Sequence, residues 1–129
     1  MRSLRGKRVL LGVGGGIAAY KSAEVVRRLI AAGADVQVAM TRAATRFITP
    51  LTLQTLSRRP VASELLSESE DAAIGHIRLA EEADVVLVAP ATADLIARLA
   101  TGMADDMVTA TALVTRAPIV VAPSMNTLM

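Results

Sequence analysis

The chain has 129 residues, 53% hydrophobic and 20% charged, so it is apolar enough for one packed domain and too apolar for intrinsic disorder. It contains no cysteine and one histidine, which excludes disulfides, a cysteine nucleophile and a histidine-rich metal site within these residues. The net charge is +2 and only 2% of residues are aromatic, so the composition argues against a nucleic-acid partner.

The first half of the chain alternates strand and helix patterns. An apolar run over 8–13 predicts a buried strand, and three consecutive glycines follow it as a turn. Residues 17–32 have apolar positions near a 3.6-residue period and predict a helix that ends at Gly33. Residues 34–40 predict a second strand, and a proline opens a predicted helix over 50–57.

The second half continues this alternation. The polar, acidic residues 64–73 predict a loop, and residues 76–83 predict a short helix. The next strand is predicted over 84–89, bounded by Pro90. The remaining predicted elements are helices over 92–100 and 105–115 and a strand over 118–122.

Strands that are apolar throughout are typical of parallel sheets buried on both faces. Together with the intervening helices they predict a three-layer α/β/α, Rossmann-like (flavodoxin-like) parallel sheet. Residues 1–129 are predicted to form one domain, which we expect to be cut short at its C-terminal end, because such domains normally continue with another helix and strand. No apolar run reaches the length of a membrane span or signal segment, so we expect a cytoplasmic protein without a membrane partner.

A strand, a glycine turn and a helix in succession are typical of a phosphate-binding site, because the turn exposes backbone N–H groups to an anion. A tight turn without a ligand is the alternative. Ile17 and Ala19 stand where a dinucleotide fingerprint needs its third glycine, and the second strand ends at Thr41 without the carboxylate that holds a ribose diol. The ATP-binding pattern is also missing, so a mononucleotide with one terminal phosphate fits best.

Polar residues follow the last two predicted strands, at the sheet edge where ligands bind. Thr92 and Asp94 could contact the edge of a flat ring, or could cap a helix and favour its dipole. Asn126 could bind a carboxylate or could be a turn residue. His76, taken alone, is more often a surface or capping residue than a catalyst, and only the general ability of an imidazole to exchange protons near neutral pH supports a catalytic role.

Four ordered segments resemble the homo-oligomeric flavin-containing cysteine decarboxylases, and they cover nearly the whole chain. They are GVGGGIAAYK at 12–21, AMTRAATRFITPLTLQTLS at 39–57, GHIRLAEEADVVLVAPATADLIARLATGMADD at 75–106 and APSMNTLM at 122–129. The combination of APATADLIA with PSMN is the most specific part of the resemblance.

The resemblance implies FMN as cofactor and a Rossmann-like fold that assembles as trimers and often dodecamers. It places the FMN phosphate on Gly14, Gly15, Gly16, Ile17, Ala18 and Thr41. It places the isoalloxazine ring, at a subunit interface, near Pro90, Ala91, Thr92, Ala93 and Asp94. It makes His76 and Asn126 the catalytic residues, with Met125 and Asn126 at the substrate, and it implies no metal.

The implied reaction belongs to the coenzyme A branch of the family, in which 4′-phosphopantothenoyl-cysteine becomes 4′-phosphopantetheine. The cysteine moiety is oxidised by hydride transfer to the flavin, CO₂ leaves, and the hydride returns with help from a cysteine on a flap. We expect that cysteine beyond Met129, so residues 1–129 alone should be impaired in the final reduction and accumulate an enethiol.

This chain departs from the family at two positions. Gly14 stands where relatives commonly have Ser or Thr, which removes one hydroxyl from the phosphate site. Asp94 stands where many relatives have Asn, which favours the bacterial bifunctional branch with a ligase domain downstream. A non-catalytic or regulatory flavin-binding subunit is the alternative function. A flavin-modifying transferase is disfavoured by the PSMN segment, and an NAD dehydrogenase by the missing carboxylate.

Overall fold

The computed structural model of the protein describes residues 3–65 and 75–129. Its strands form a single parallel sheet. In chain order they are β1 (Arg8–Val13), β2 (Asp35–Met40), β3 (Val85–Ala91) and β4 (Ile119–Pro123). Their order in the sheet is β2-β1-β3-β4. The parallel arrangement confirms the predicted fold class.

The α-helices of the described segments are α1 (Ser22–Ala31), α2 (Pro50–Ser57), α3 (Gly75–Glu82), α4 (Ala93–Ala100) and α5 (Met107–Val114). Two 3-10 helices accompany them, Ile17–Lys21 and Ala44–Arg46, and the second was not predicted from the sequence. None of the helices in the described part of the chain is long and apolar enough to cross a membrane.

Alternate residues of β1 point to opposite faces of the sheet, and each face has its own buried apolar cluster. The first cluster joins β1 and β2 to α1 and α2 and includes Val9, Leu11, Val38, Val26 and Leu53. The second joins β1 and β3 to α4 and α5 and includes Leu10, Val86, Val88, Leu95 and Met107. Helices therefore cover both faces of the sheet, which confirms the predicted three layers.

The segment predicted as one helix over 17–32 has two parts. It begins as the 3-10 helix Ile17–Lys21 and becomes α-helical only at Ser22. Gly16 precedes it without a side chain to cap the first turn, and the Ser22 hydroxyl donates to the Ala19 carbonyl at 2.6 Å. Gly33 follows the helix with φ +98°, a left-handed conformation that favours glycine, and the helix ends there as predicted.

The prediction that the third strand stops before Pro90 is wrong, because β3 continues to Ala91. Its pairing with β4 shifts between Val88 and Ala91, so the missing N–H of the proline falls at an irregularity of the ladder. The Pro90 carbonyl accepts from Gly14 N at 3.0 Å, and the Ala91 carbonyl accepts from Ser124 N at 3.0 Å. The extension brings Pro90 against the glycine turn.

The two outer strands of the sheet differ in their surroundings. Ala62 pairs with the outer edge of β2, where Met40 N donates to its carbonyl at 2.8 Å and its N–H donates to Val38 O at 3.0 Å. Every residue of β4 is exposed, and its one partner strand in the described sheet is β3. The prediction that all strands are buried on both faces is therefore wrong for β4, which lies at the sheet edge.

The remaining predicted boundaries agree with the structure to within two residues. The predicted loop over 64–73 is an exception, since residues 66–74 lie outside the described segments. Glu64 and Leu65, the described part of that loop, have no regular secondary structure.

Arg58 ends α2 in a left-handed conformation, with φ 64° and ψ 24°. A residue with a side chain costs about 1–2 kcal/mol of folding free energy in the left-handed conformation. Glycine avoids this cost, although it makes the unfolded chain more flexible. We expect Arg58→Gly to raise the free energy of unfolding by about 0.5–1 kcal/mol in urea denaturation. The same change at Arg28, inside α1, should lower it by about 1 kcal/mol, and a loss of stability in both variants would contradict this account.

Candidate functional site

A cavity of about 370 Å³ lies at the edge of the sheet where the carboxyl ends of the strands meet. This is the position at which open α/β sheets bind ligands, and the volume falls in the range of ligand pockets. The glycine turn, the beginning of α4 and the residues after β4 form most of its wall. The lining residues are Gly15, Gly16, Ile17, Thr41, Ala43, Pro90, Thr92, Ala93, Asp94, Leu95, Arg98, Ser124, Met125 and Met129.

The glycine turn packs against two neighbouring backbone segments. A Cβ on Gly14 would overlap the Pro90 carbonyl oxygen, which already accepts from Gly14 N. A Cβ on Gly15 would overlap the methyl group of Ala43 and lie 2.7 Å from its carbonyl carbon. Close packing alone therefore requires glycine at both positions. At Gly14 it also explains why a serine or threonine would need the surrounding backbone to shift.

Three backbone N–H groups around the turn are available to a ligand. Those of Gly15, Ile17 and Ala18 have no hydrogen-bond partner among the described residues. In contrast, Gly16 N donates to Gly14 O at 3.2 Å and Ala19 N donates to Gly16 O at 2.9 Å. Neighbouring N–H groups without partners form a concave anion site, so the turn can accept a phosphate.

Thr41 lies at the end of β2, almost fully buried. Its hydroxyl oxygen accepts from Ala44 N at 3.1 Å, and its own N–H donates to Val13 O at 3.1 Å. The hydroxyl hydrogen is left for a further acceptor, because a hydroxyl both donates and accepts. No carboxylate follows β2 in the cavity wall, so this edge suits a phosphate better than a ribose diol.

The first turn of α4 forms another part of the cavity wall. The Thr92 hydroxyl caps the helix by accepting from Leu95 N at 3.1 Å, so the capping alternative for this residue is realised. The Thr92 methyl group lies 3.2 Å from the place a Cβ would take on Gly16, which puts this helix turn beside the glycine turn. The Asp94 carboxylate is 78% exposed at the rim.

Arg98 lies one turn after Asp94, and its guanidinium meets three carboxylates. Nε donates to Asp94 at 3.2 Å, and Nη1 donates to Asp105 at 3.0 Å and to Asp106. Asp106 also caps α5, accepting from Val108 N at 2.8 Å. Burial lowers the pKa of Arg98, but the hydrogen bonds and charges, led by those of Asp106, outweigh it and leave the pKa above its usual value.

The structure brings most of the predicted cofactor residues to one cavity. Of that set, the members that do not line it are Gly14, Ala18 and Ala91. Met125 lines the cavity. His76 and Asn126 do not.

His76 lies in the first turn of α3, and its Nδ1 is buried without a hydrogen-bond partner among the described residues. Asn126 is exposed, and its side-chain oxygen accepts from Leu128 N at 2.8 Å. No group of three or more potential metal ligands occurs within residues 3–65 and 75–129. Within the single chain, the cavity therefore forms without His76 in its wall.

Five lining residues were not predicted from the sequence: Ala43, Leu95, Arg98, Ser124 and Met129. Of these, Arg98 could have been predicted, because Asp94 and Arg98 are four residues apart on a predicted helix and so lie on the same face of it. Ser124 lies within the quoted PSMN segment and Met129 ends the quoted segment 122–129, but neither residue pointed to the cavity by itself.

The three-layer fold, the open N–H groups of its glycine turn and the cavity at the carboxyl edge of the sheet define a Rossmann-like protein with a site suited to a phosphate-bearing ligand. A model of the Flavoprotein family matches residues 1–129. The chain belongs to that family.

Among the similar proteins is the coenzyme A biosynthesis bifunctional protein CoaBC of Vibrio cholerae, which is 60% identical over 126 residues, 98% of this chain and 32% of the relative. The protein of the same name from Escherichia coli strain K12 is 60% identical over 124 residues, 96% of this chain and 30% of the relative. The chain thus spans about a third of the length of these curated relatives.

Solved structures with the same fold include the FMN-dependent cysteine decarboxylase TvaF from thioviridamide biosynthesis. It matches with a TM-score of 0.87 and 30% identity over 96% of this chain and 76% of that one. A PPC decarboxylase mutant complexed with pantothenoylaminoethenethiol matches with a TM-score of 0.77 and 30% identity over 96% of this chain and 70% of that one.

Proposed function

We propose that this chain carries the FMN-dependent decarboxylation of 4′-phosphopantothenoyl-L-cysteine to 4′-phosphopantetheine in coenzyme A biosynthesis. The observation that carries the proposal is the glycine-turn cavity, found in a chain 60% identical over 98% of its length to a coenzyme A biosynthesis protein. The similar PPC decarboxylase, complexed with pantothenoylaminoethenethiol, supports the choice of substrate.

The residues of the cavity fit FMN. The free N–H groups of Gly15 and Ile17 and the Thr41 hydroxyl belong to cavity-lining residues, and the free N–H group of Ala18 follows directly, so the site offers several donors to one terminal phosphate. Hydrogen bonds to a charged group contribute about 1.5–3 kcal/mol each, so backbone donors can compensate for the hydroxyl that Gly14 lacks. The small residues Ala93 and Pro90 leave space for a flat ring beside Thr92 and Asp94.

When bound, FMN supplies the redox chemistry, because its ring can accept a hydride from the substrate and return it. The chain's own residues bind the cofactor and orient the substrate. Thr92 fixes the first turn of α4 through its cap, and Met125 contributes apolar surface to the cavity next to Asn126. The amide of Asn126 donates to the substrate carboxylate, and His76 holds or accepts a proton at the cysteine moiety.

The catalytic residues reach the flavin in an assembly of several subunits. Within one subunit His76 does not line the cavity, and its buried Nδ1 has no partner in the described part of the chain. We assign the assembly as a homotrimer, alone or as part of a dodecamer, in which adjacent subunits complete each site. A ligase, fused or separate, is a further proposed partner, since the matching relatives are bifunctional.

The proposal is tested by purifying the protein and measuring flavin absorbance and CO₂ release from 4′-phosphopantothenoyl-cysteine. We expect bound FMN in near-stoichiometric amount and substrate-dependent CO₂ release. Bound FMN without CO₂ release would identify a non-catalytic flavin-binding subunit instead. Absence of flavin after reconstitution with FMN would overturn the proposal as a whole.

A further inference from the structure

The Arg98 side chain forms part of the wall of two neighbouring cavities. One is the glycine-turn cavity, and the other, of about 550 Å³, lies among the loop after β2, residues 63–65 and the start of α5. Thr41 and Ala43 also border both, so Arg98 lies where the two cavities meet. Only 19% of its side chain is exposed, although arginine is seldom buried without a specific partner.

Arg98 is the one cationic side chain among the described residues that line the glycine-turn cavity. The carboxylates of Asp94, Asp105 and Asp106 all face it within hydrogen-bond distance. Without Arg98 the wall where the two cavities meet would carry three uncompensated negative charges, because Asp94 lines the glycine-turn cavity and Asp105 and Asp106 line its neighbour. Such a wall would repel a phosphate dianion and would oppose the addition of electrons to a ligand beside it.

The same side chain joins the cavity to the helix pair behind it. Asp94 belongs to the first turn of α4, whereas Asp106 caps α5 by accepting from Val108 N and Thr109 N. At the start of α5, the Met107 methyl carbon lies 4.0 Å from the place a Cβ would take on Gly75. The Thr115 hydroxyl, just after α5, donates to Ala80 O of α3 at 3.1 Å. Arg98 thus connects the cavity wall to α3, the helix that carries the histidine.

We propose that Arg98 is a positioning residue of the FMN site: it fixes the first turn of α4 to the start of α5 and balances the carboxylates of Asp94, Asp105 and Asp106. The proposal rests on the proposed function, because FMN is the ligand whose phosphate and ring experience this charge. Lysine cannot replace Arg98 fully, because a single ammonium group lacks the planar guanidinium fork that reaches Asp94 on α4 as well as Asp105 and Asp106 before α5.

The test compares Arg98→Met with Arg28→Met, which removes the arginine of an exposed ion pair of the same i,i+4 spacing on α1. FMN affinity is measured by fluorescence titration, and the reduction potential of the bound flavin by dye equilibration. We expect Arg98→Met to weaken FMN binding about tenfold and to lower the reduction potential. Arg28→Met should change neither quantity.

Two further variants keep the test decisive if Arg98→Met does not fold. Arg98→Lys should retain most of the reduction potential but lose affinity for FMN. Asp105→Asn removes one carboxylate and leaves the Asp106 cap in place, so it should raise the potential. An Arg98 variant that melts earlier but keeps the wild-type FMN affinity and potential would show a purely structural role and overturn the inference. Failure of the wild type to bind FMN would instead overturn the proposed function.

Discussion

His76→Asn is expected to reduce decarboxylation by at least about a hundredfold while FMN remains bound. General acid–base catalysis typically contributes 10²–10⁴-fold, and asparagine is a polar side chain that cannot exchange a proton near neutral pH. His76 does not line the cavity and supplies none of the donors proposed for the FMN phosphate, so its loss should leave FMN binding intact. The measurement is CO₂ release per mole of bound flavin.

Arg78→Gln is the matched control for His76→Asn. Arg78 lies on the same helix, is exposed, and contacts Glu82 at 3.9 Å in an i,i+4 pair. Surface pairs of this kind contribute little, so this variant should keep wild-type activity and stability. Full activity of His76→Asn would remove His76 from the catalytic residues, and equal loss in both variants would indicate damage to α3 rather than to the reaction.

The second large effect is expected for Gly15→Ala. The added methyl group would overlap Ala43 and lie 2.9 Å from Ala44 N, so the turn or the loop after β2 must move. Overpacking of this kind costs about 1–3 kcal/mol of folding free energy. Displacement of the free N–H groups should also weaken FMN binding at least about tenfold, because hydrogen bonds to a charged group are lost. Urea denaturation and FMN titration measure the two effects.

The controls for Gly15→Ala separate a local clash from the general effect of removing glycine. Gly75→Ala adds a methyl group that, among the other described elements, comes no nearer than 4.0 Å to an atom, the Met107 methyl carbon, and it should not destabilise the protein. Combining Gly15→Ala with Ala43→Gly should recover part of the stability, since one of the clashing groups is then absent. If Gly15→Ala alone had wild-type stability and FMN affinity, the close packing of the turn would not be essential.

Local patterns were sufficient to predict most of the fold. The apolar run of β1 and the left-handed glycine at 33 each have one dominant physical explanation, and the structure agrees with both. Pro90 was harder, because a proline normally ends a strand. Here its missing N–H coincides with a shift in the pairing of β3 with β4, which depends on the neighbouring strand rather than on local sequence.

The segments that form the candidate site could be predicted from the sequence, but the contacts between their side chains could not. The glycine turn and Thr41 were found because each follows a strand directly. Arg98 was missed because its importance depends on Asp105 and Asp106, which reach it only when α4 and α5 pack together. His76 could not be placed relative to the cavity from sequence, since that position depends on how α3 packs against the rest of the chain.

The unequal outer edges of the sheet have a consequence for the solubility of the protein. At the β2 edge, Ala62 is hydrogen-bonded to the backbone of Met40 and Val38. At the β4 edge, the apolar side chains of residues 119–121 are exposed. Exposed β-branched strands at a sheet edge are the usual starting point of aggregation. In a sample made of residues 1–129, self-association at high concentration should therefore begin at β4, and Val120→Lys is the substitution best placed to suppress it.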